Sequence, residues 1–267
     1  MSARTIANTA VFTAFVAAVT MAFAIYIPAT KGYFDIGEVM VYVTAMLMGP
    51  YVGAFAGGVG SAISDAILAP QYAPGTLVIK AAEGYVVGYL TRAGASRMTR
   101  QTWRIVSGGI GGALAIALGW IGITQLSGPQ VLSLGFANGP NALVLGPLVI
   151  PANSTIGPQF SANFFVPPLL WALIAAAAFF GIMVVGLRLD PEVGWTILSI
   201  LLGGTAMVVG YFLFESIALQ LGTVTAAVEV PINVGQVLVG LVVSVPVVRS
   251  IKRVAGGRRA FGEGPAK

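Results

Sequence analysis

Tyr72-Ala73-Pro74-Gly75-Thr76-Leu77-Val78-Ile79-Lys80-Ala81-Ala82-Glu83-Gly84 is the stretch on which the reading of this chain turns. It opens an apolar run that continues to about residue 93, yet it holds a lysine and a glutamate three positions apart. At helical spacing the two share a face and pair. The rest of the chain is too apolar for water: 57% of its 267 residues are hydrophobic and 9% are charged, with mean hydropathy +0.90. Soluble domains carry roughly 25% charged residues, so lipid must solvate most of this surface. A charge near a bilayer centre costs about 3 kcal/mol on insertion scales. Lys80 and Glu83 therefore mark a polar interior, either a site or a structural pair fixing helix register. Asp65, Glu215 and Glu229 belong to the same class.

Apolar segments run roughly 8–28, 36–49, 51–69, 75–93, 103–125, 166–187, 193–218 and 229–249. About 20 residues span the hydrocarbon core, so the first is read as a permanent helix rather than a signal peptide. The second and third are short and meet at Gly49-Pro50. The expected fold is an all-α polytopic membrane protein, a single membrane domain over 1–267 with about eight transmembrane helices. Arg92, Arg97, Arg100 and Arg104 lie between segments four and five, and Arg249, Lys252, Arg253, Arg258 and Arg259 follow the last. With Arg4 and Arg188 they fall on one side of eight alternating segments, which the positive-inside rule makes cytoplasmic. Both termini are then inside.

Residues 126–165 differ in kind. They contain Gly128-Pro129, Gly139-Pro140, Gly146-Pro147 and Gly157-Pro158 and no Asp, Glu, Lys or Arg. Such dipeptides break helices. A neutral external loop, partly ordered against the membrane face or over a cavity, is expected. Asn153-Ser154-Thr155 within it is a glycosylation sequon.

The absence of cysteine excludes disulfides and thiolate metal sites, and the absence of histidine removes the commonest metal ligand. No metal or cofactor is expected. The net charge of +5 is spread over short loops, which is not a nucleic-acid footprint.

Gly49, Gly53, Gly57 and Ser61 recur every four residues, as do Ala10, Ala14 and Ala18. Small residues at that spacing let helices approach closely. The glycine row is read as internal packing. The alanine row meets either this chain or another subunit. Lys80 and Glu83 with Asp65 form an expected charge cluster at the outer third. Tyr85 and Tyr89 stack on a planar ligand or simply pack. Glu229, Asn233 and Gln236 share a helix face, and Glu215 closes Tyr211-Phe212-Leu213-Phe214-Glu215 at the same level. Converging polar groups among aromatic and aliphatic walls describe a small-molecule pocket. Asp35 and Glu38 start segment two, where acids favour the helix dipole, or one of them lines a gate.

In order and spacing, Gly32-Tyr33-Phe34-Asp35-Ile36-Gly37-Glu38, Gly49-Pro50, Gly57 through Asp65, Tyr72-Ala73-Pro74 with Thr76 and Ile79-Lys80, then Gly210 through Glu215, Pro231, Asn233 and Gln236 resemble one family. It is the substrate-binding (S) components of energy-coupling factor (ECF) transporters, in particular the riboflavin-type branch. The resemblance covers about 7–94 and 193–249. It implies a six-helix bundle that binds a vitamin or related micronutrient from outside. Such a bundle pairs with a transmembrane coupling subunit and two cytoplasmic ATPases and topples in the prokaryotic plasma membrane to release its cargo. On this reading Lys80, Glu83, Tyr211, Glu215, Asn233 and Gln236 contact substrate. Asp35, Glu38, Asp65 and Glu229 serve as gate or structural groups, and Ala10, Ala14 and Ala18 face the coupling subunit. Residues 103–187 form an inserted helix pair carrying the loop 126–165. Glu83 stands where relatives often have an apolar residue. The chain has no phosphate-binding Gly-x-x-x-x-Gly-Lys-Ser/Thr sequence, so it is expected to be no enzyme. Lys80→Ala or Asn233→Ala is expected to weaken binding without loss of folded protein. The competing readings are a proton-coupled secondary carrier, which no internal repeat supports, and a non-transporting scaffold.

Overall fold

The computed structural model describes residues 3–27, 30–95, 99–125, 127–137, 142–145 and 160–262. Among them are eight α-helices: α1 (Ala3–Ala22), α2 (Glu38–Met48), α3 (Pro50–Leu68), α4 (Ala73–Ala95), α5 (Arg100–Gln125), α6 (Pro168–Arg188), α7 (Pro191–Leu213) and α8 (Thr223–Gly262). A π-helical turn, Phe214–Ala218, follows α7. Among the described residues, five stretches are long and apolar enough to cross a membrane: Thr5–Ala22, Pro50–Leu68, Pro168–Arg188, Pro191–Ala218 and Thr223–Val254. The α2 helix has only 11 residues, about 16 Å at 1.5 Å per residue, well short of a ~30 Å core. Lys80, Glu83 and Arg92 keep α4 outside the apolar class.

The described chain forms two compact units, Met1–Arg97 with Trp195–Lys267, and Met98–Gly194. In the first, α3 packs against α4, α1 and α2. The glycine row makes this possible. A Cβ at Gly53 would lie 2.8 Å from Ala45 Cα, and one at Gly84 only 2.3 Å from Gly53 O. The α3 and α4 backbones are thus in direct contact, as the internal-packing reading of the row expects. Gly49 joins α2 to α3 at φ +85°, a left-handed conformation that side chains resist. Arg92 Nη2 donates to Met48 O at 2.7 Å, satisfying an end carbonyl of α2. Outward residues such as Tyr51, Ile67, Val78 and Val242 are largely exposed and apolar, as lipid solvation requires.

The first apolar segment departs from expectation. Its helix ends at Ala22 rather than running to residue 28, and Ile25–Ile27 (β1) pairs antiparallel with Gly32–Phe34 (β2). The β-branched and aromatic run Ile25-Tyr26-Ile27 favours a strand over a last helical turn. Lys31, at φ 60°, helps turn the chain back.

In the second unit α5 packs on α6. Gly111 faces Phe179 and Ile182, and Gly186 faces Ser107. Between these helices the expected irregular loop instead holds a three-stranded antiparallel sheet, order β4-β3-β5, made of Gly128–Ala137 (β3), Ala142–Leu145 (β4) and Phe160–Val166 (β5). Gly128-Pro129 opens β3 and so sits at a strand start, where proline is tolerated. The remaining Gly-Pro pairs and Asn153 lie outside the described residues.

Candidate functional site

A recess in the first unit is lined from every side by polar groups. Its interior is narrow, a cavity of about 40 Å³.

The α3–α4 pair builds one wall. Asp65, near the end of α3, accepts hydrogen bonds from the Tyr33 and Thr76 hydroxyls. Tyr211 continues the relay, its hydroxyl 2.8 Å from Thr76 Oγ1. Lys80 reaches the cavity one turn beyond Thr76, with its ammonium 5.7 Å from the centre of the Tyr211 ring. Behind it Lys80 forms an ion pair with Glu38 and a second, at 3.3 Å, with Glu83. Glu83 also accepts from Tyr42 OH at 2.7 Å.

The β1–β2 hairpin and the link to α2 form the second wall. Tyr72 OH donates to Thr30 O at 3.0 Å, and the Thr30 hydroxyl donates to Glu229. Asp35 accepts from Gly37 N at 2.6 Å and from Gln236 Nε2 at 2.9 Å. Burial lifts Asp35 above the usual carboxylate range, against the opposing pull of Lys80 and the Gly37 N–H. Burial and the neighbouring Asp65 hold the Tyr33 phenol well above its ordinary value, so it remains a donor.

The third wall is α7, the π turn and α8. The π turn closes with Leu219 N donating to Phe214 O at 2.9 Å, and single π turns of this kind recur at functional sites. It places Glu215 in the wall, 1% exposed, with Oε2 lacking any hydrogen-bond partner among the described residues. One face of α8 adds Glu229, Asn233 and Gln236, all buried. Pro231 lies inside the helix between them.

The structure therefore brings Lys80, Tyr211, Glu215, Asn233 and Gln236 to one cavity, together with Asp35, Asp65 and Glu229. Glu83 and Glu38 stand behind Lys80 rather than in the wall. The expected cluster of Asp65, Lys80 and Glu83 is divided: Lys80 takes Glu38 and Glu83, and Asp65 takes hydroxyls. Tyr85 and Tyr89 lie outside the recess, half-exposed and stacked on each other at 6.1 Å. Thr20, Gly32, Tyr33, Ser61, Tyr72 and Thr76 also line the cavity. Sequence reasoning assigned them no contact, because a hydroxyl or a glycine in an apolar run costs far less than a charge and so draws less notice.

On the outer side of α1, Ala10, Ala14 and Ala18 are exposed and line a shallow apolar groove with Phe55 and Ile63 of α3. The opposite side of α1 packs on α3 at Gly60 and Ser64, the latter bonding Ala17 O at 3.1 Å.

A sequence model of the ECF-type riboflavin transporter S component matches residues 1–144, more than half of the chain. The chain belongs to this family. It is a multi-pass membrane protein and the substrate-binding component of a transporter. It is also similar to a Pyrococcus woesei protein described as "Uncharacterized protein in gap 3'region". The two are 43% identical over 111 residues, which is 41% of this chain and 72% of that protein.

Proposed function

We propose that this S component captures a vitamin-like ring compound from outside the cell in the recess between α3–α4, the hairpin and α7–α8. The observation that carries the reading is the recess itself. Three walls of buried donors and acceptors converge on one recess inside an otherwise apolar bundle, and such convergence is the mark of a ligand site. Riboflavin is the compound the family description names and so the first to test. Lys80, Tyr211, Glu215, Asn233 and Gln236 are the proposed contacts. Glu83, with Glu38, holds Lys80 in place.

Delivery follows the family pattern. The S component topples against a transmembrane coupling subunit through the Ala10-Ala14-Ala18 face, driven by two separate ATPases. Residues 103–187 are an inserted helix pair in a single membrane domain, and both termini are cytoplasmic. Native mass spectrometry of the gently purified chain, followed by titration with a vitamin panel, tests the reading. A stoichiometric vitamin-like ligand is expected. A folded protein that binds none of the panel, yet takes up solute alone in liposomes under a pH gradient, would be a secondary carrier instead.

A further inference from the structure

Each carboxylate on the cavity wall but one has its donors supplied by the protein. Asp65 has two hydroxyls, Asp35 has the Gly37 N–H and Gln236, and Glu229 has Thr30. The single cation in the wall, Lys80, is already matched by two acids behind it. Glu215 is the exception. It is 1% exposed, it lines the cavity, and its Oε2 has no partner among the described residues. An acceptor buried without a donor costs about 1–3 kcal/mol, more when charged. Glu229 lines the same cavity. Two acids on one cavity, one with an open acceptor, and no cation to spare among the described residues leave positive charge and N–H donors to be brought by what enters the cavity. Tyr72, which lines the same cavity, adds an aromatic ring of the kind that attracts a cation.

We infer that Glu215 and Glu229 form a subsite for an amino or cationic nitrogen group on the transported ring compound. The preferred substrate class is then an amine-bearing or cationic heterocycle rather than a neutral, carbonyl-rich ring such as riboflavin. The inference rests on the reading of this protein as a micronutrient-binding component, and narrows the substrate of that same recess.

The test uses the full chain in detergent at neutral pH and one matched pair of probes, with riboflavin as the neutral reference. Pyridoxamine and pyridoxine differ by an amine in place of a hydroxyl. Titration calorimetry on wild type is expected to rank the amino member of the pair at least tenfold tighter than its twin. Glu215→Gln is expected to weaken the amino member by tenfold or more and its neutral twin by less than threefold. If Glu215→Gln does not give monodisperse folded protein, Glu229→Gln is read the same way. Tighter binding of the neutral twin, equal losses for both twins, or binding of riboflavin alone overturns the inference while leaving the micronutrient reading standing. A folded wild type that binds no probe at all removes that reading, and the inference falls with it.

Discussion

Replacing Lys80 by methionine tests how the recess is held. The side chain keeps its length but loses its charge, leaving Glu38 and Glu83 buried at 1% and 0% exposure with no cation. Breaking a buried ion pair from one side costs about 3–5 kcal/mol, and here the two orphaned carboxylates also repel each other. At about 2–4 °C per kcal/mol, Lys80→Met should lower the unfolding midpoint by roughly 6–20 °C. On this geometry Lys80→Ala is expected to cost stability too: the lysine is a keystone of the wall as well as a group within it. Glu83→Gln added to Lys80→Met removes the repulsion and should return about 1–3 kcal/mol, a coupling typical of groups in contact. Thermal unfolding in detergent of the wild type, both single variants and the double variant gives the cycle. A single Lys80→Met variant as stable as wild type, or a double variant no better than Lys80→Met, would refute the triad.

Asn233→Ala should weaken ligand binding about 3–10-fold, the worth of one hydrogen bond, with a midpoint shift of under about 4 °C; calorimetry with an unchanged affinity would remove Asn233 from the site. Gly84→Val should cost about 3 kcal/mol or more, because its Cβ meets Gly53 O at 2.3 Å, and size-exclusion profiles and unfolding midpoints will report it. Ala14→Trp on the exposed face of α1 should leave ligand affinity unchanged while reducing co-purification with the coupling subunit; full retention of the complex would place that interface elsewhere.

Charge made most of the site legible in sequence. Lys80, Glu83, Glu215 and Glu229 stand out because their segments are otherwise almost free of charge, and the i, i+3 spacing named Glu83 as a partner of Lys80. Glu38 was invisible in that role: it is 42 positions away, and only the packing of α2 against α4 delivers it. Tyr33, Tyr72 and Thr76 carried the resemblance but were given no contact in the site for the opposite reason, since hydroxyls sit cheaply in apolar runs. The helices followed from long apolar runs, but such runs do not announce where helix gives way to strand. Ile25-Tyr26-Ile27 continued the hydropathy of α1 unbroken, and the β3–β5 sheet lay in a stretch where glycine and proline dominated the signal.

The backbone contact of Gly53 with Gly84 also distributes stiffness. Asp65, Thr76 and Lys80 all ride on two helices that have no side-chain layer between them to yield at these positions, so their spacing is nearly invariant. Glu215, Asn233 and Gln236 ride on a π turn and on a helix interrupted by Pro231. Ligands of different girth would therefore meet one unyielding jaw and one compliant one. Variation in what the recess accepts should come from residues 214–236, and a rigid reference edge for recognition from residues 53–84.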